Sequence, residues 1–198
     1  MLIHSFVPAS RTNGPGLRAV VYVQGCSLNC RGCWNPDTHA FAGTEQAPEQ
    51  VARKVIAHAS ALDGVTFSGG EPMQQAHDLL ATLQAISATA SDLSVGIYSG
   101  YSLPELAAGR FQTRESADHL ERARLWQDIR SYLDFAVLGR YVESRPENLP
   151  LRSSSNQDLQ LFSGRYSATD FAPLEVEVQI GFDGLAQITG FPLLGIPA

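Results

Sequence analysis

Cys26, Cys30 and Cys33 are the only cysteines of the chain, and all three fall in one short stretch, VQGCSLNCRGCWNP, with the spacing C-x3-C-x2-C. Thiolates this close on a glycine-punctuated loop can surround a single soft metal centre. Three chemistries fit. A structural zinc wants four protein ligands and would need a recruit such as His39. A dithiol redox site would use the C-x2-C pair of Cys30 and Cys33. A cubane iron–sulfur cluster has four irons, so three thiolates leave one iron without a protein ligand, where a small molecule can bind.

A second stretch, SGGEP, supplies Gly69 and Gly70, which let a ligand approach the backbone, and Glu71, a carboxylate suited to an ammonium group. The plain alternative is a glycine turn with Glu71 and Pro72 opening a helix, which the helix dipole favours. A cysteine loop one strand earlier tilts the reading towards a site. A third stretch, YSGY, carries Ser99. Lys54 is the only lysine among 14 basic residues and sits in a charged helical stretch, where a solvated role outweighs Schiff-base chemistry. The five histidines have no convincing ligand spacing, which leaves His39 as zinc's one recruit.

The elements that must position these stretches alternate. LRAVVYVQG reads as a buried strand running into the cysteine loop. APEQVARKVIAHASAL is a helix with Val51, Val55, Ala59 and Leu62 on one face and Pro48 in its first turn. GVTFSGGEP is a second strand, MQQAHDLLATLQAISATA a helix, LSVGIYSGY a third strand and LPELAAG a short helix. Residues from about 110 to 130 read as a helical insertion and YLDFAVLGRYV as a fourth strand. ESRPENLPLRSSSNQD reads as loop. In LEVEVQIGFDGLAQITGF, Asp183-Gly184 separates two β-capable runs, a hairpin signal spanning about 174–191. Such alternation implies a mainly parallel sheet with right-handed crossovers, and chemistry at the carboxyl ends of its strands. The cysteine loop, SGGEP and YSGY all sit at such ends.

Composition narrows the class. A chain of 198 residues, 44% hydrophobic and 17% charged, suits one domain with a buried core. The net charge of −6 argues against a nucleic-acid surface. No apolar run reaches the length of a membrane span, and the start lacks the pattern of a secretory signal. Three thiols cannot pair completely, so a disulfide framework is not expected and the cytoplasm is the expected compartment.

GCSLNCRGC and GGEP, in this order and at this distance, resemble the radical SAM superfamily. NGPGLRAVVYVQGC, CWNPDTH, TFSGGEP, IYSGYS, SSSNQ and ITGFP resemble, more narrowly, the activating proteins of anaerobic ribonucleotide reductase and related glycyl-radical activases. The resemblance implies an α/β fold, a partial parallel β/α barrel with a C-terminal β-hairpin, in a single radical SAM domain over 1–198. It implies a [4Fe-4S] cluster held by Cys26, Cys30 and Cys33, with the amino and carboxylate groups of S-adenosylmethionine on the open iron. Reductive cleavage would yield a 5′-deoxyadenosyl radical that abstracts hydrogen from a substrate. Gly69, Gly70 and Glu71 would receive the methionine end, and Ser99 the carboxylate or ribose. Trp34 would pack against cluster or adenine, its alternative being a core aromatic. Asn156 and Gln157 are assigned a cofactor-side role against the alternative of a solvated loop. The implied electron donor is a reduced flavodoxin or ferredoxin.

The small activases share Gly32 before the last cysteine and an aromatic, here Trp34, after it. Three departures touch the substrate side. Leu138 stands where these activases have an aspartate, Ser153 where they have a glycine that would strain serine if its φ were positive, and Asp158 where a basic residue is common. The leading expectation is an enzyme that activates a partner glycyl-radical enzyme. A radical enzyme acting directly on a peptide or small metabolite, with Leu138 marking an altered pocket, is the second. A zinc- or cluster-binding module without catalysis is the third.

Overall fold

The computed structural model describes residues 1–173, 175–180, 184 and 186–190. Strand β1 (Leu2–Ser10) is followed by β2 (Arg18–Val23), the short β3 (Thr44–Glu45) and helix α1 (Pro48–Ile56). Next come β4 (Gly64–Gly69), α2 (Ala76–Thr89), β5 (Ser94–Ser99), α3 (Leu103–Ala107), α4 (His119–Arg130) and β6 (Phe135–Leu138). The later elements are β7 (Pro146–Leu149), β8 (Arg152–Ser154), β9 (Asp158–Leu161), β10 (Val176–Ile180) and β11 (Ala186–Gly190).

Seven strands form one sheet in the order β3-β1-β2-β4-β5-β6-β9. The central four, β2, β4, β5 and β6, run parallel, whereas β1 and β9 flank them antiparallel. The expected mainly parallel α/β sheet is therefore present, and its four central strands are the four read from the sequence.

Because side chains alternate along a strand, each sheet face has its own residue set. One face carries Val21, Phe67, Ile97 and Leu138, buried with Leu79, Leu83 and Ile86 of α2 and Trp126 and Ile129 of α4 in the main apolar core. The other face carries Phe135 and Val137, packed with Leu151, Phe171, Tyr98 and Tyr166 in a smaller cluster. Beneath that cluster Arg18 is fully buried. Its guanidinium donates to Thr66 Oγ1, Ser94 Oγ and the carbonyls of Pro15, Val65 and Ser94 at 2.6–3.1 Å and lies over the Phe135 ring. Such full satisfaction is what a buried cation without a carboxylate partner requires.

The helical insertion expected over 110–130 is helical only in α4, which begins where the Asp118 carboxylate caps the N–H groups of Leu120 and Glu121. Residues 110–118 are drawn into the fold instead: Phe111 is buried against Tyr101, and the Arg114 N–H donates to the Gln74 carbonyl. The segment read as loop contains β7 paired with β8, and it ends where β9 begins, beside β6. β1 carries Pro8 at a register shift between Val7 and Ser10, where a missing N–H costs no ladder bond. Within the stretch read as a hairpin, β10 pairs antiparallel with β11. Asp183 of its expected turn, the ends Leu174 and Phe191 of the expected hairpin, and the FP of ITGFP lie outside the described residues. β10–β11 attach to the end of β1 through Thr189 Oγ1 to Ser10 Oγ (3.1 Å) and Gln179 to the Ala9 carbonyl (2.6 Å).

Candidate functional site

The carboxyl ends of β2, β4, β5 and β6 open into one cavity. Cys26, Cys30 and Cys33 line it together with Trp34, His39, Gly69, Gly70, Glu71, Ser99, Tyr141 and Gln157. Beyond Val23 the chain folds back on itself: the N–H of Gly25 donates to the Thr38 carbonyl and that of Cys26 to the His39 carbonyl. Positive φ at Asn29 and Gly32 turns the loop between its cysteines. Buried Gln74 fastens its start, accepting from the Ser27 N–H (3.0 Å) and donating to Ser27 Oγ (2.7 Å) and Tyr101 OH (2.8 Å).

All three thiols are free and half-buried. The Asn35 N–H donates to the Cys33 sulfur at 3.4 Å, and the main chain at Leu28 and at Tyr141 favours the thiolates of Cys26 and Cys30. Burial nevertheless dominates and raises all three thiols, Cys26 to about 11. Thiols held protonated at neutral pH are poor redox nucleophiles, which counts against the dithiol reading. A cationic metal centre held by these cysteines would reverse that balance, because its ligands must be thiolates.

Among the described residues no three His, Cys, Asp or Glu side chains converge on one point as ligands of a single ion must. His39 Nε2 and Trp34 Nε1 are buried without a hydrogen-bond partner among the described residues, and both residues line the cavity. Orphaned polar atoms at a cavity wall call for a ligand. Trp34 packs on Tyr141, with ring centroids 5.8 Å apart.

Gly69 has a φ of +95°, and a Cβ there would stand 2.8 Å from the Val23 main chain. A Cβ on Gly70 would collide with the Gly25 carbonyl oxygen. The glycines thus let β4 press against the root of the cysteine loop, a contact completed by N–H bonds from Gly70 to Val23 and from Glu71 to Gly25.

Glu71 is 1% exposed, and its carboxylate accepts from the Met73 N–H (2.9 Å), Ser99 Oγ (2.8 Å) and the Gly100 N–H (2.7 Å). Burial raises its pKa from 4.5 to about 7 against those bonds. A carboxyl raised by folding stabilises the fold below its unfolded pKa and loses that contribution as pH rises through the folded one. The metal-free protein should therefore lose up to about 3 kcal/mol between pH 5 and 7. Urea midpoints across that range, with a Glu71→Gln variant whose profile is flatter, check this. Glu105, held down to about 2 chiefly by its bond to Arg140 against a desolvation that opposes it, titrates below this window.

Gln157 reaches the cavity, yet its Oε1 accepts from the N–H groups of Ser153 and Ser154 and its Nε2 donates to the Gly139 carbonyl. Asn156 is exposed, donates to the Arg140 carbonyl at 2.7 Å, and does not line the cavity. Both brace the segment 139–141, of which Gly139 and Tyr141 line the cavity. Leu138 lies in the main core, 1% exposed, and Val137 lines the cavity in its stead, so the Leu138 substitution does not reshape the pocket. Ser153 is not among the residues of positive φ; Leu151 is, at +58°.

The family described as a 4Fe-4S single cluster domain matches residues 12–160. The chain belongs to this family. An anaerobic ribonucleoside-triphosphate reductase-activating protein of Salmonella typhimurium is 30% identical over 136 residues, covering 66% of this chain and 88% of the relative. The protein of the same description from Vibrio cholerae is 28% identical over 170 residues, 82% of this chain and 99% of its own length. A pyruvate formate-lyase-activating enzyme of Clostridium pasteurianum is 41% identical over 87 residues, 41% of this chain and 37% of its own. These matches show that this 4Fe-4S domain is of the radical SAM activase kind, with a [4Fe-4S] cluster and S-adenosylmethionine as its cofactors.

Proposed function

We propose that this chain is the activase of a partner glycyl-radical enzyme of the anaerobic ribonucleotide reductase kind. Cys26, Cys30 and Cys33 would each hold one iron of the cluster, leaving the fourth for S-adenosylmethionine. When bound, these cofactors supply a 5′-deoxyadenosyl radical by one-electron cleavage of the sulfonium bond. The observation that carries this reading is the set of three half-buried thiols around one cavity, beside the two glycines and the buried carboxyl of Glu71.

The protein's own work is to position and to exclude. Gly69 and Gly70 bring β4 close enough for its exposed end to meet the methionine end of the cofactor. Glu71 and Ser99, bonded to each other, hold the β4 and β5 loops together around it. Trp34 Nε1 and His39 Nε2 belong to residues that line the same space, and neither atom has a hydrogen-bond partner among the described residues. Tyr22, Tyr98 and Asn13 line its deeper part on the sheet face opposite the main core, the side on which an incomplete β/α barrel receives a substrate loop. A single domain in the cytoplasm, reduced by a flavodoxin or ferredoxin, completes the proposal; among the described residues no helix is long and apolar enough to cross a membrane.

The test is electron paramagnetic resonance of the partner reductase after anaerobic incubation with the reduced activase and S-adenosylmethionine. A glycyl-radical doublet that disappears when the partner's radical-site glycine is replaced by alanine is expected. Cofactor cleavage without any partner radical would overturn the activase role.

A further inference from the structure

A second cavity, of about 320 Å³, lies behind the cysteine loop and is lined by Ser27, Leu28, Tyr101, Arg110, Arg122 and Arg140 among others. Leu28 also lines the cysteine cavity, so one residue of the loop is common to both walls. The chain carries a net charge of −6, yet three guanidiniums meet here and no carboxylate lines the cavity.

Two of the three are held in place. Arg140 donates to both oxygens of Glu105 at 3.0 Å and lies over the Tyr101 ring, 5.4 Å from its centroid. Arg122 donates to the carbonyls of Gly109 (2.8 Å) and Ala117 (2.6 Å). Arg110 is exposed and its side chain has no hydrogen-bond or ion-pair partner among the described residues. Fixed guanidiniums with donors left over, beside one free guanidinium, suit a carboxylate-bearing surface.

We propose that this arginine cavity docks the acidic surface of the protein that donates the electron. The inference rests on the activase reading above. The reduced donor loses one electron and the cluster gains it, with no bond made or broken in the complex. Two features of the molecule favour this occupant over a free anion. Ser27 and Leu28 of the cysteine loop form part of the cavity's wall, and Leu28 also lines the cysteine cavity, so a donor seated there would lie beside the cluster site. Attraction between such patches acts mainly on the encounter rate and weakens with salt.

The test compares Arg110→Glu with Arg124→Glu in the reconstituted protein. Arg124 is exposed on α4 and does not line the cavity, so both variants change the net charge equally. Stopped-flow reduction by a photoreduced flavodoxin should slow about tenfold or more in Arg110→Glu and lose most of its salt dependence. Arg124→Glu should stay within about twofold of the parent protein, and reduction by a photoreduced deazaflavin, a small reductant, should be the same in all three. Equal slowing by both variants, or none in Arg110→Glu, would overturn the docking site. Unchanged reduction with weaker activation of the partner reductase would also overturn it and give the cavity to that partner. Failure of the parent protein to cleave S-adenosylmethionine with the small reductant would strike the activase reading itself, a separate outcome.

Discussion

Replacing Cys30 by alanine should abolish 5′-deoxyadenosine formation and leave the protein folded. Cys30 is half-exposed and lies on a loop whose path is set by main-chain bonds and by Gln74. Loss of its side chain should therefore cost the metal-free fold less than about 1 kcal/mol. Cofactor loading faces a different cost. A cube held at three corners would be left with two. Iron content after reconstitution should fall well below the parent's. Product formation should drop by more than about 100-fold, the upper end for losing a mere supporting residue around a metal. Cys26→Ala and Cys33→Ala should match it. Full iron and full product in any of the three would remove that cysteine from the ligand set.

Gly70→Ala carries the second large effect although the residue has no side chain to lose. Its Cβ would be driven onto the Gly25 carbonyl oxygen, main chain that cannot swing aside as a side-chain tip could. That carbonyl also accepts the Glu71 N–H at 2.9 Å, so relief of the clash breaks the bond that ties β4 to the cysteine loop. Overpacking of this kind costs about 1–3 kcal/mol. Because the strain falls at the root of the loop, cluster retention should suffer more than global stability. The comparison is Gly164→Ala, where a Cβ would meet nothing within 4 Å. Urea midpoints and iron content of the two variants, measured together, decide the matter. Unchanged cluster retention in Gly70→Ala would return Gly70 to the simpler role of leaving room for a ligand.

Period and composition made the four parallel strands legible, since RAVVYV, GVTFSG, SVGIYS and FAVL are short, β-rich and end in turn residues. The antiparallel flanks were harder. β9 pairs only four residues with β6, after a Ser-rich run, and β1 interrupts its alternation with Pro8. At the site, residue identity pointed to the cysteines and to GGEP because side-chain chemistry is written in the sequence. The Asn35 N–H that meets the Cys33 sulfur is main chain and has no such signature. The roles of Gly69 and Gly70 became clear only once their neighbours were known to be the backbone of Val23 and Gly25. Leu138 could have been read from the sequence: with Phe135 and Val137 on one face of β6, strict alternation puts Leu138 on the other, in the core.

The most direct measurement is anaerobic. The protein is reconstituted with iron and sulfide, reduced by a small reductant and given S-adenosylmethionine, and 5′-deoxyadenosine is quantified. The account predicts product from the parent protein, none from Cys30→Ala, and a change in the reduced cluster's resonance spectrum when the cofactor is added. A fully loaded cluster whose spectrum ignores S-adenosylmethionine and which forms no product would contradict it.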